Sequence, residues 1–233
     1  MPTAARRTAT DYIADESFLD DGFAEDSEDA SSLRSSAIQS GWEAALKSAQ
    51  SPQSSGGGYV NDFRFGEDSQ LVKFLDSEPL AVYSQHWIER AGKRSWTCLG
   101  NDKCPLCAIG DKPSRKVAFA VANLSNPDGP VAEVLTVSPK TMQILNRYHQ
   151  DRATGPLDRL YYSMSKTGSG PKTVFQILPV KARDLEEDWG LDPAETEAII
   201  GGFEPLTSKV ISFHTAPQLE EIAREITQRA PRG

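Results

Sequence analysis

All three cysteines of the chain and one of its three histidines fall in the stretch HWIERAGKRSWTCLGNDKCPLC, from His86 to Cys107. Cys104 and Cys107 form C-P-L-C, a spacing that lets two thiolates on one tight turn hold a single Zn²⁺, with Pro105 stiffening the backbone between them. Cys98 and His86 lie upstream. If residues 87–97 fold back as a hairpin, these two complete a Cys₃His tetrahedron. His149, His214 or a carboxylate remain alternatives to His86 as the fourth ligand. A site with four protein ligands is structural and contributes folding free energy directly. It would also explain how an insertion with little apolar content holds a shape.

Competing chemistries fit the residues less well. A redox C-x₂-C pair belongs to a βαβ context, which the surrounding pattern lacks. Zinc deaminases carry H-x-E followed by P-C-x-x-C. Here Glu89 stands three residues after His86, and the proline sits inside the cysteine pair. Neither H-E-x-x-H, G-x-S-x-G nor G-x-x-x-x-G-K-[ST] occurs in the chain. The expectation is a non-catalytic protein with one structural zinc. Cysteines clustered in this way, behind no apolar leader, suggest reduced thiols in a cytoplasmic compartment.

Charge is distributed unevenly. Residues 1–30 hold 2 basic and 9 acidic side chains, residues 86–183 hold 15 and 7, and residues 184–233 hold 4 and 11. A cationic middle between anionic ends suggests a polyanionic partner, although the net charge is −8. Single-stranded nucleic acid needs cations that follow phosphates and aromatic faces that stack on bases. The candidates near the cysteines are Tyr83, Trp87, Arg90, Lys93, Arg94 and Trp96, followed by Lys112, Arg115 and Lys116. Arg159, Tyr161, Lys166 and Lys172 come from later strands. In LYYSMSK, Leu160, Tyr162 and Met164 share one face while Tyr161 shares the other with Ser163 and Ser165. Tyr161 is therefore the stacking candidate and Tyr162 a core residue. Phe119, on the face of Val117 and Val121, also reads as core. Trp87 and Trp96 serve equally well as the apolar centre of a zinc module.

These residues need elements to position them. Residues 1–30 are rich in Asp, Glu, Ser and Ala and read as a disordered acidic tail. Residues 31–50 could form a short helix, and SPQSSGGG (51–58) reads as a flexible linker. The folded part is expected from Tyr59. Strands are expected at 71–75, 80–86, 93–98, 116–124, 131–137, 159–165 and 172–180, where β-branched and aromatic residues alternate between Gly, Pro, Asn and Asp. One helix interrupts them, with Ser138 as N-cap, Pro139 at its first position, and Met142, Leu145 and Tyr148 on one face. Two more helices follow, one capped by Asp192 and ended by Gly201-Gly202, the other bearing Leu219, Ile222, Ala223 and Ile226 at helical spacing. Strands, one helix, then strands is the order of an OB barrel. The fold class expected is thus mainly β with α: an OB core over 59–183, a zinc subdomain inserted at 86–112, and a helical extension over 184–233.

The pattern His-x₁₁-Cys-x₅-Cys-x₂-Cys, inserted before the main strands of such a barrel, resembles the helix-destabilising single-stranded DNA-binding proteins of T-even bacteriophages. The wider run FLDSEPLAVYSQHWIERAGKRSWTCLGNDKCPLC is similar to actinobacteriophage proteins of the same role. The resemblance spans roughly residues 70–180 and is specific at four positions. It implies that His86, Cys98, Cys104 and Cys107 are the ligands. It further implies a protein that coats single strands during replication, recombination or repair, with self-association on DNA. The chain departs from that family in starting acidic and ending in RAPRG. The acidic segment with Phe18 and Phe23 is expected to act as the partner-binding tail, so deleting residues 1–30 should tighten DNA binding at low salt. The alternatives are a zinc-containing nucleic-acid enzyme or transcription accessory factor, and a protein–protein adaptor stapled by zinc.

Overall fold

A computed structural model describes residues 28–49, 62–90, 93–100 and 102–229. The proposed acidic tail with Phe18 and Phe23, and the linker at 51–58, lie outside these residues. In chain order the elements are α1 (Glu28–Ala37), β1 (Ile38–Gln39), α2 (Trp42–Ala49), β2 (Gln70–Phe74), β3 (Ala81–Arg90), β4 (Lys93–Thr97) and α3 (Pro105–Ala108). These are followed by β5 (Ser114–Asn123), β6 (Val131–Val137), α4 (Pro139–Gln150), β7 (Tyr161–Thr167), β8 (Val174–Val180), α5 (Leu185–Trp189), α6 (Pro193–Gly201) and α7 (Ala216–Arg229). All seven expected strands form, each within three residues of its expected limits except β3, which runs on to Arg90.

The strands make one antiparallel eight-stranded sheet in a mixed α/β structure, in the order β1-β3-β5-β2-β7-β8, with β4 added to β3 and β6 to β5. Strand β5 is the hub. Its first half pairs with β3 (Ala81↔Ala118 to Gln85↔Ser114), and its last residues pair with β2 (Val72↔Asn123 to Phe74↔Val121). β2 and β3 thus run along one side of β5, separated by the bend through Pro79, and β6 takes the other side. Strand β7 joins β2 to β8.

The sheet is not closed into a barrel, because β6 and β8 are not paired among the described residues. The segment 62–66 instead hydrogen-bonds to β6 and β7 and makes a ring contact with β8. Asp62 bridges Val134, the Phe63 N–H donates to the Val134 carbonyl (3.0 Å), and the Gly66 carbonyl accepts from the Lys166 N–H (2.8 Å). Phe65 meets Phe175 with ring centroids 4.6 Å apart.

The main core lies on one side of this curled sheet. Phe74 packs edge-on against Phe119 and Tyr162, and Leu135, Met142, Leu145 and Leu157 fill the space around them. Phe119 and Tyr162 are core residues, as alternation expects. Helix α4 starts as read, with Ser138 Oγ accepting the Thr141 N–H.

The short helix expected over residues 31–50 is instead two helices. They break at Gly41, whose backbone (φ +87°) is left-handed and favours glycine. Nor does the fold begin at Tyr59. Trp42 and Ala45 are part of the main core, and the Trp42 indole N–H donates to the Ser77 carbonyl.

Candidate metal centre and the groove beside it

His86 lies near the end of β3, and Cys98 follows β4 directly. The β3–β4 hairpin pairs Gln85 with Thr97 and His86 with Trp96, which brings Cys98 back beside His86. Cys104 precedes α3, a single turn that starts at Pro105, and Cys107 lies within it. The four donor atoms gather within 4.8 Å of one another. Nε2 of His86 is 3.3 Å from Cys104 Sγ and 3.6 Å from Cys107 Sγ, and Cys98 Sγ is 3.5 Å from Cys107 Sγ. Three of the four side chains are buried and Cys107 is half-buried.

The protonation of the cluster follows its geometry. The Cys98 thiol hydrogen-bonds to Cys104, which with His86 and two backbone amides holds Cys104 down at about 3, as a thiolate. The same hydrogen bond, with burial, pushes Cys98 up, and burial lifts Cys107 to about 11. At His86, burial opposes the charged ring, but hydrogen bonds and charge from Cys104 and Asp111 outweigh it and raise its pKa. The cluster therefore offers one thiolate, two thiols that a cation would deprotonate, and an imidazole.

Asp111, which carried no signal in the sequence, orients the imidazole. Its Oδ2 is 2.5 Å from His86 Nδ1. With the Nδ1 proton given to Asp111, the lone pair of Nε2 points at the sulfurs. This is the carboxylate–histidine arrangement that fixes the tautomer of metal-ligating histidines. The donors fit a single metal ion, and the site is closed by protein on all four corners.

The module around this site takes part of its core from the far end of the chain. Trp96, Leu99 and Leu106 pack with Leu219, Ile222 and Ala223 of α7. The segment before α7 is pinned to β4: the Thr97 N–H donates to His214 Nδ1 (3.1 Å), and the Thr97 hydroxyl donates to the Ser212 carbonyl. His214 thus acts in the module as a hydrogen-bond acceptor, and His149 lies against Trp42 in the main core, so neither is among the four donors.

A polar groove of about 320 Å³ adjoins the metal loops. Ser36, Gln39 and Lys47 of the N-terminal elements line it together with Val82, Ser84, Gly100 and Arg115. Lys47 is the functional candidate that sequence reasoning missed, because it belongs to a segment read as lying outside the fold.

The other nucleic-acid candidates separate by exposure. Trp87 is 48% exposed, Lys112 and Lys172 are exposed, and Arg115 and Lys166 are half-buried. Arg90, Lys93 and Arg94 belong to the β3–β4 hairpin, but their side chains lie outside the described residues. Arg159 is exposed and donates to the carbonyls of Arg152 and Gly155. Four candidates are buried and require correction. Trp96 belongs to the module core and donates its indole N–H to the Ile88 carbonyl. Tyr83 packs with Ile38, Ala118 and Ile211. Lys116 is buried within reach of the Asp62 charge, and burial lowers it to about 8. Tyr161 lies under α5 and α6 with Leu71, Ala122 and Leu185, and its hydroxyl donates to Glu197 Oε1 (2.5 Å). Lys73 Nζ stands 4.4 Å from the Tyr161 ring centroid and 3.2 Å from the same carboxylate oxygen. Tyr161 is on the face that alternation assigns, but that face is covered.

Comparison with family models, curated proteins and solved structures returned no match. No helix among the described residues is long and apolar enough to cross a membrane.

Proposed function

We propose that the chain is a single-stranded DNA-binding protein of the phage type, with zinc as the structural metal and no catalytic step. The carrying observation is the closed His86–Cys98–Cys104–Cys107 cluster beside a groove that Lys47 and Arg115 help to line. Tetrahedral Zn²⁺ with Zn–S bonds of about 2.3 Å has donor–donor edges of about 3.8 Å. The separations of 3.3, 3.5 and 3.6 Å lie just below that edge and all six lie within 4.8 Å, so small shifts of the side chains would accept the ion. Four protein donors leave no coordination position for substrate, which argues against a catalytic zinc.

The ladder order supports an OB-type reading of the sheet. Pairings β2–β5, β5–β6, β2–β7 and β7–β8 follow that barrel's connectivity, with α4 between β6 and β7. Lys47 and Arg115 would contact the phosphates of one strand along the groove, and Trp87 lies exposed for stacking on a base.

The deciding experiment is titration with oligo-dT and with duplex, following tryptophan emission, with bound zinc quantified. One zinc per chain and quenching by oligo-dT alone support the reading. Preference for duplex would favour a transcription factor, and no response would favour an adaptor. Lys47→Glu and Arg115→Glu should each weaken oligo-dT binding about fivefold at low salt and lower the log–log salt slope by about 0.7.

A further inference from the structure

The last third of the sheet and the helices after it differ sharply in charge. Residues 159–183 contain five Lys or Arg and no acid, whereas residues 184–204 contain eight Asp or Glu and no base. Each region also exposes apolar side chains. On β8, Val174 and Leu178 are 62% and 48% exposed, and on α6 Ile199 is 45% exposed.

The two apolar strips lie on the same face of the sheet. Even-numbered β8 residues share a face with Val180, which packs with Tyr161, Leu185 and Ile200 beneath α5 and α6. The cover ends there, and Leu178, Gln176 and Val174 continue along that face uncovered. Helix α6 is held over the covered half through Glu197, which binds Lys73 and Tyr161. The acidic residues around the α6 strip are Asp192, Glu195 and Glu204. Lys172 and Lys181 lie just beyond the two ends of the β8 strip.

The edge of β8 away from β7, unpaired among the described residues, is a poor site for another strand. Pro179 has no N–H, and the Ile177 carbonyl already accepts the Tyr148 hydroxyl (2.9 Å). Docking must therefore use the face, and the occupant must carry an apolar strip with an acidic rim. The chain itself has that surface on α6.

We infer that the chain forms a two-fold dimer in which α6 of each copy covers the β8 strip of the other. Because both strips lie side by side on one face, a single rotation satisfies both contacts, as an isologous interface requires. Apolar centres meet, and the acidic and basic rims face each other, which favours this pairing over either strip meeting its own kind. The inference does not depend on DNA binding.

Light scattering of the full chain without DNA tests it. A mass of twice 25.5 kDa is expected at about 100 µM. Leu178→Lys and Ile199→Lys should each raise the dissociation constant at least about tenfold without lowering the melting temperature, since both side chains are exposed. Lys172→Glu should weaken the dimer, and adding Glu195→Lys in the same chain should restore it. A 25.5 kDa species throughout would overturn the inference, as would a dimer indifferent to both Leu178→Lys and Ile199→Lys.

Discussion

The sheet core and the metal module are built on opposite principles. Around Phe119 the chain buries large apolar side chains from β2, β5, β6, β7, α2 and α4, and their contacts are spread over many residues. Around His86 the apolar cluster is small, includes two of the four clustered donors, Cys98 and Cys104, and takes three of its buried members from α7, more than 100 residues away in sequence. The first region is held by area removed from water. The second is held by a few directional groups, each of which matters singly. The comparison teaches that local damage should remain local in the module and spread in the sheet.

Removing the metal with a chelator, or the donor by Cys104→Ser, should have the largest effect. Structural zinc supplies apparent binding free energy of about 10 kcal/mol or more in small domains. Residues 86–112 should then become sensitive to trypsin and the near-ultraviolet signal of Trp96 should fade, while the far-ultraviolet sheet signal persists. Loss of the whole sheet would show that the two regions form one cooperative unit.

Core truncation provides the converse. Phe119→Ala should cost about 3–5 kcal/mol and lower the global denaturation midpoint. Leu219→Ala should cost about 2–4 kcal/mol, seen as faster hydrogen exchange in α7 and β4 and faster metal release. Equal exchange changes throughout the molecule would contradict the division.

Asp111→Asn keeps the size of the side chain but weakens its hold on His86. Metal affinity should fall about 10–100-fold in competition with a chromophoric chelator, with little change in sheet stability.

The smallest effect concerns Asp62, where the segment 62–66 meets β6. Burial lifts its carboxyl from 3.8 to about 6, against the pull of Arg64. A folded-state value above the unfolded one adds stability at low pH, and that stability is lost as pH rises through about 6. Asp62→Asn should therefore flatten the fall in melting temperature between pH 4 and pH 7. An unchanged slope would show that another group titrates there.

Much of this was legible residue by residue. Cys104 and Cys107 lie one turn apart, so local geometry alone places them together. Strands were legible from alternation, and caps such as Ser138 and Asp192 from the short-range hydrogen bonds they make. Tyr161 marks the limit. Alternation sets it opposite Tyr162 but carries no information on whether that face meets water, and α5 and α6 decide that from more than twenty residues further on. Trp42 and Lys47 were misjudged for a related reason. A short segment before a Ser/Gly-rich stretch has no local sign of its docking site, which here is the far side of the sheet core.

By itself the sequence determined the three cysteines as candidate donors, with His86 one of several choices for the fourth, together with the strands and the cationic middle, because ligand chemistry, side-chain parity and charge are properties of neighbouring residues. The tertiary structure alone decided that Asp111 orients the imidazole and that α7 completes the module. It also decided that Lys47 and Arg115 line one groove, that segment 62–66 hydrogen-bonds to β6 and β7, and that Tyr161 is buried. Each of these depends on groups distant in the chain meeting in space, and which of them share a desolvated surface is settled only when the whole chain packs.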